Sequence, residues 1–238
     1  MDSLRFYFDP ICPFAWMTSK WVREVARQRP MAVERRFISL RLVNAQVDYA
    51  THFPPGYERS HTAGLEVLRG AAAARRRHGP DAVGPLYEAA GNAIFEGEPG
   101  RQSELHADPR AFMIPVLAAA GLEADLADAV AETGADEEIG AETEEALALT
   151  GRDVGTPILH FDPPVGTALF GPVISRLPSA GDAAELWEHV VALSRFAGFA
   201  ELKRSLRETP QLPALGVSAG QVGVQEDWQQ GHRRLSES

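Results

Sequence analysis

The chain has a single cysteine, Cys12, in 238 residues. One thiol excludes an internal disulfide, and with it the small stapled folds of secreted proteins. Lysine is almost missing: Lys20 and Lys203 are the only two. Acidic residues outnumber Lys and Arg by 33 to 23, for a formal net charge of −10. That balance lacks the clustered cations a phosphate backbone requires, so nucleic acid is not an expected partner. No apolar run reaches the ~20 residues that cross a bilayer, so no membrane partner is expected either. There is no Gly-rich phosphate loop, no flavin or nicotinamide motif and no nucleophile–His–Asp pattern. His160 and Asp162 share one face of a strand pattern, but no third ligand accompanies them, so no metal is expected. The N-terminus enters a strand pattern at Leu4 without a leader, which together with the free thiol points to the cytoplasm.

With 45% hydrophobic residues the chain can bury a sizeable core. Leu4, Phe6 and Phe8 alternate with Arg5 and Tyr7 as in a strand. From Cys12 to about Gln28 the period becomes helical, with Phe14, Met17, Trp21 and Val25 on one stripe. Ala32–Leu40 reads as a second strand, and Arg41–Tyr57, with Pro54-Pro55-Gly56, as a loop. Helices are expected near Glu58–His78, Asp81–Phe95, Pro109–Ala120, Glu123–Thr133 and Asp136–Thr150. Strands return at Pro157–Asp162 and Thr167–Phe170 around a Pro-Pro turn. A helix follows from about Asp182 to Phe196, with Asp182 as its cap and Glu185 completing a capping box. A short helix near Phe199–Leu206 comes next. From Glu208 the composition is that of a polar arm or disordered tail.

The order β-α-β, helical block, β-β-α is an α/β arrangement with a helical insert. Residues 1–57 and 151–207 form one domain, 58–150 the insertion and 208–238 the tail. Cys12 falls at the strand-to-helix turn, where unpaired N–H groups and the helix dipole favour a thiolate. Pro13 suits the first helical position. This places a reactive, acid-shifted sulfur at Cys12. Gly155-Thr156-Pro157 opens the late strand, where a proline is tolerated because it need not donate to the ladder.

These stretches resemble the DsbA-like branch of the thioredoxin fold, and more narrowly the actinobacterial mycothiol-dependent nitroreductase group. The matching residues are Phe8-Asp9-Pro10, Cys12-Pro13, Trp16, Thr18-Ser19-Lys20-Trp21, Ser39-Leu40, Asn44, Pro85-Leu86-Tyr87, Gly91-Asn92, Gly155-Thr156-Pro157, Phe170-Gly171-Pro172-Val173 and Glu201-Leu202-Lys203-Arg204. They span nearly the whole chain before the tail. The resemblance implies a thioredoxin-like fold of the DsbA type in which the Thr156-Pro157 loop, with a cis bond, faces Cys12. It further implies mycothiol, or another low-molecular-weight thiol, as co-substrate. Pro13, Phe14, Ala15, Trp16, Asn44, Tyr57, Thr156 and Pro157 would line the thiol and its small-molecule substrate beneath the helical insertion. Two positions depart from the family pattern. Phe14 replaces a tryptophan and keeps an aromatic ring, while Ala15 replaces the resolving cysteine and removes the dithiol cycle.

Three readings follow. The first is a monothiol oxidoreductase that reduces a small electrophile or nitro compound, or exchanges disulfides. The second is a thiol-dependent transferase or isomerase of the kappa glutathione transferase or chromene-carboxylate isomerase type, which needs no cysteine pair. The third is a binding protein that has lost catalysis. The oligomeric state is open, a homodimer included.

Overall fold

A computed structural model describes residues 2–204, 208–225, 228–229 and 232–233. The alternation near the N-terminus becomes β1 (Asp2–Phe8), which Cys12 and Pro13 turn into α1 (Pro13–Gln28). The helix returns the chain to β2 (Met31–Phe37), parallel to β1 with Leu4 opposite Val33 and Phe8 opposite Phe37. The late strands β3 (Ile158–Phe161) and β4 (Ala168–Phe170) complete a sheet of order β2-β1-β3-β4, with β3 antiparallel to both neighbours.

β1 is buried on both faces. Leu4, Phe6 and Phe8 join the main core with Trp16, Trp21 and Phe37, while Tyr7 faces a second cluster with Ile38, Ala146 and Ile158. The second cluster lies under α8 (Asp136–Thr150), whose Glu145 accepts from the Tyr7 hydroxyl at 2.8 Å. On the opposite face α1 packs on α9 (Ala180–Arg195): the Trp21 and Trp187 rings lie 5.6 Å apart, and Trp21 Nε1 donates to the Ala183 carbonyl.

Between the two halves of the sheet run α4 (Tyr57–His78), α5 (Val83–Gly91), α6 (Arg101–Ala107) and α7 (Pro109–Ala119). Several elements differ from the sequence expectation. The stretch read as a loop after β2 contains α2 (Leu40–Val43) and α3 (Tyr49–His52), each capped locally by Ser39 or Asp48. They are single turns, too short for a period to register. Of α6 only Leu105 is buried, so it too carries no apolar stripe. The stretch expected as a helix at Glu123–Thr133 winds more tightly, as 3₁₀ turns over Ala124–Ala131 and Thr133–Ala135. The Asp81–Phe95 helix is divided into a 3₁₀ turn, α5 and a π-helical segment, Asn92–Glu96.

The cap of α9 is Ser179, not Asp182: the Ser179 hydroxyl accepts from Asp182 N and donates to the Asp182 carboxylate. This is a reciprocal cap set three residues earlier than the expected one. Residues 199–204 are not helical, and the remainder of that expected helix lies outside the described residues. The start of the tail packs on the body. Leu212 is fully buried in the main core, and Glu208 binds Ser175 Oγ and Arg176. Among the described residues no helix is long and apolar enough to cross a membrane.

Candidate active site

Cys12 is the N-cap of α1. Its sulfur accepts the Ala15 amide at 3.4 Å, as a capping side chain does, and its thiol donates to the Thr156 carbonyl at 3.4 Å. The Thr156-Pro157 bond is cis, and the Thr156 hydroxyl donates to the Tyr7 carbonyl at 3.2 Å, tying this loop to the end of β1. Two segments 144 residues apart thus meet at one sulfur.

The electrostatics correct the expectation of an acid-shifted thiol. Cys12 is 7% exposed. Burial pushes its pKa up to about 12, the nearby Asp9 charge adds to the rise, and the Ala15 and Phe14 amides oppose it. The helix start acts in the expected direction, but two amide contacts do not match the loss of water around a thiolate. In this structure Cys12 is a protonated thiol bonded to a carbonyl.

Asp9, not singled out from the sequence, is the buried anchor of the site. Its carboxyl is 0% exposed. One oxygen accepts Ile11 N at 3.0 Å, and the other accepts Leu40 N at 2.7 Å. The first bond is an Asx turn, in which the Asp side chain accepts from the amide two residues on, and an Asp before a turn could have signalled it. The second fastens the loop that carries Cys12 to the start of α2. Above it, α4 comes so close that a side chain at Gly64 would place its Cβ 2.4 Å from Asp9 Oδ1. Glycine is therefore required at this crossing. Desolvation raises the Asp9 pKa to about 7, against the pull of its two amide bonds.

The remaining candidates fall in different places. Pro13 occupies the first position of α1, and Phe14, Ala15 and Trp16 are buried. Trp16, expected as aromatic surface facing a ligand, is a core residue. It is 0% exposed, its Nε1 donates to Glu96 Oε1 at 2.8 Å, and its ring meets Tyr87 edge-on at 5.7 Å. Asn44 ends α2, where its Nδ2 donates back to the Leu40 carbonyl at 2.8 Å. Its amide thus closes its own turn. Tyr57 begins α4, half-buried, and its ring stacks on Phe53 with centroids 5.5 Å apart. Beside it the Tyr49 hydroxyl and His61 Nδ1 lie 2.9 Å apart. That pair was missed because Tyr49 lies in a segment without period. The apolar pocket was expected over Cys12, a residue that is itself buried. An open cavity of about 510 Å³ lies instead between α5, the π segment and α7, lined by Pro85, Asn92 and Pro115 among others. Among the described residues no three His, Cys, Asp or Glu side chains gather as a metal site.

A βαβ-ββα sheet with a lone thiol capping its first helix against a cis-proline loop defines a thioredoxin-like protein of the DsbA type. Among solved structures the chain is similar to a probable DsbA oxidoreductase from Streptomyces coelicolor, with a TM-score of 0.51 and 15% identity over 88% of this chain and 96% of that one. It is similar also to a putative protein disulfide isomerase from Nitrosomonas europaea, with a TM-score of 0.51 and 13% identity over 79% of this chain and 98% of the other. At these identities the likeness is one of fold. In sequence, residues 11–204 match the family model described as Rv2466c-like, mycothiol-dependent nitroreductase Rv2466c. The chain is also 30% identical over 217 residues to the uncharacterized protein Rv2286c of Mycobacterium tuberculosis, spanning 90% of this chain and 84% of that protein. The chain belongs to the Rv2466c-like family of mycothiol-dependent nitroreductases.

Proposed function

We propose that the protein is a cytoplasmic monothiol oxidoreductase that uses mycothiol to reduce a small electrophilic or nitro-bearing substrate, or to exchange disulfides. The observation that carries this reading is the position of Cys12 Sγ, on the first turn of α1 and 3.4 Å from the Thr156 carbonyl, with Ala15 in place of a second sulfur. The thiol must first leave the Thr156 carbonyl and give up its proton to solvent. The thiolate then attacks a disulfide that carries mycothiol. One sulfur–sulfur bond forms, the old one breaks, and the leaving thiolate takes up a proton. A second mycothiol attacks the resulting mixed disulfide, which frees Cys12 and releases mycothiol disulfide. With a mixed disulfide as substrate the cycle consumes one free mycothiol, releases the other thiol and forms one mycothiol disulfide; reduction of a nitro or other electrophilic substrate by two electrons and two protons consumes two mycothiols. Only one sulfur has to come from the protein, so Ala15 is compatible with turnover.

Thiol stoichiometry tests this against its rivals. With purified protein and mycothiol, two thiols should disappear for each two-electron reduction of a nitroaromatic, whereas with a mixed disulfide one mycothiol should be replaced by one released thiol. With the nitroaromatic or another electrophile, product formation with no net loss of thiol would replace this reading by the isomerase one. An adduct that retains one thiol per product would mark a transferase, and no turnover with any thiol would leave a binding protein.

A further inference from the structure

β2 carries two adjacent arginines with opposite fates. Arg36 faces α8 and meets three carboxylates: Glu34 at 3.2 Å, Glu142 at 3.2 Å and Glu145 at 2.6 Å. Arg35 points to the other face of the sheet, opposite Phe6 in the register. Among the described residues its guanidinium makes no hydrogen bond or ion pair, and the acid whose charge reaches it is Glu88. Its guanidinium lies flat on α5, where a Cβ at Gly84 would be 2.8 Å from Nη1. One turn further along α5, Glu88 Oε1 stands 3.9 Å from Arg23 Nε. That carboxylate is half-exposed, and among the described residues it is the acid within ion-pair distance of Arg23. Arg23 comes from α1, with its guanidinium 4.6 Å over the Trp16 ring and Nη1 donating to Ser19 Oγ at 3.1 Å. Glu96, the other acid on this side, is already held by Trp16 and Lys20.

Two guanidinium groups therefore lean on the same face of α5. Burial above all, and the Arg23 charge after it, lowers the pKa of Arg35, while Tyr87 and Glu88 pull the other way. The Tyr87 hydroxyl lies in the same place. It is fully buried and near Ser19, yet makes no hydrogen bond of ordinary geometry. Among the described residues no carboxylate comes within ion-pair distance of Arg35, and only the Glu88 charge opposes its loss of a proton from the acid side. Two partly buried cations thus share one half-exposed carboxylate, Glu88, and the positive charge left over is destabilising unless an anion offsets it.

We propose that Arg23 and Arg35 form a binding site for a small oxyanion, a carboxylate or phosphoryl group, at the junction of α1, β2 and α5. Guanidinium forks match both groups through paired N–H donors. The missing Cβ at Gly84 leaves the room in which Arg35 lies.

Calorimetric titration in phosphate-free buffer tests the site, with inorganic phosphate and malonate as probes and chloride at matched ionic strength as control. Saturable binding of one phosphate or malonate per chain is expected, and whichever probe binds tighter identifies the group. Arg35→Gln and Arg23→Gln should each weaken that binding by about tenfold or more, the loss of one charge-assisted contact. Thermal unfolding supplies a second readout. Without added anion, Arg35→Met should melt no lower than the wild type, because it removes an uncompensated charge. Binding that matches the chloride control, or that survives in both glutamine variants, would overturn the proposal. So would an Arg35→Met variant that melts lower than the wild type in anion-free buffer, since the arginine would then be structural.

Discussion

Replacing Cys12 with serine is expected to remove thiol-dependent turnover, by several orders of magnitude, while the fold stays intact. Serine is nearly isosteric and a better helix cap than cysteine. Its hydroxyl can accept the Ala15 amide and donate to the Thr156 carbonyl as the thiol does. It cannot form a sulfur–sulfur bond. The melting temperature should therefore change little, and loss of rate would report the chemistry alone. Steady-state reduction with mycothiol, measured beside a thermal melt, checks both parts. A variant that retains turnover would move the reaction away from this sulfur and toward an isomerase that holds its thiol cofactor by other groups.

Asp9→Asn should change how stability depends on pH. In the folded protein burial lifts the Asp9 pKa from the ordinary 3.8 to about 7. The folded state thus holds this proton more tightly than the unfolded one between those values. Its contribution to stability is fully present below the unfolded value and is lost as pH rises through the folded one. A gap of about 3 units corresponds to roughly 4 kcal/mol over that window. The difference in unfolding free energy, wild type minus variant, should fall by about that order between about pH 4 and pH 7.5, with other titrating groups cancelling. Denaturant melts across that range measure it, and a flat difference would show that Asp9 titrates normally. The variant should also lower the Cys12 pKa, because the Asp9 charge is one of the two influences raising it. Alkylation rates against pH would read that shift.

Much of the frame was legible in the chain. The alternation of Leu4, Phe6 and Phe8, the stripe on α1 and the late strand pair each carry their own period, and these elements place Cys12 at its turn. What the sequence could not convey is how closely the insertion sits on that turn. Gly64 and Asp9 are 55 residues apart in number, and nothing local to either announces a crossing so close that a Cβ on Gly64 would stand 2.4 Å from Asp9 Oδ1. That contact accompanies the burial of the site and reverses the thiol expectation, since a helix start favours a thiolate only where water remains. Asn44 and Trp16 illustrate a second limit. Their residue types fit a ligand-lined cleft as well as they fit a turn or a core, and only the bonds to the Leu40 carbonyl and to Glu96 distinguish the two. Arg35 illustrates a third. Adjacent arginines on a strand look alike in sequence, but the pleat sends one to three carboxylates, while the other makes no ion pair among the described residues.

The account turns on Cys12 forming a mixed disulfide with a small thiol, and intact-protein mass spectrometry tests that most directly. After incubation with mycothiol disulfide at mildly alkaline pH, the wild-type chain should gain the mass of one mycothiol. The adduct should map to the peptide containing Cys12 and disappear when free mycothiol is added. A chain that gains no mass under those conditions, or whose adduct free mycothiol cannot remove, would contradict the account.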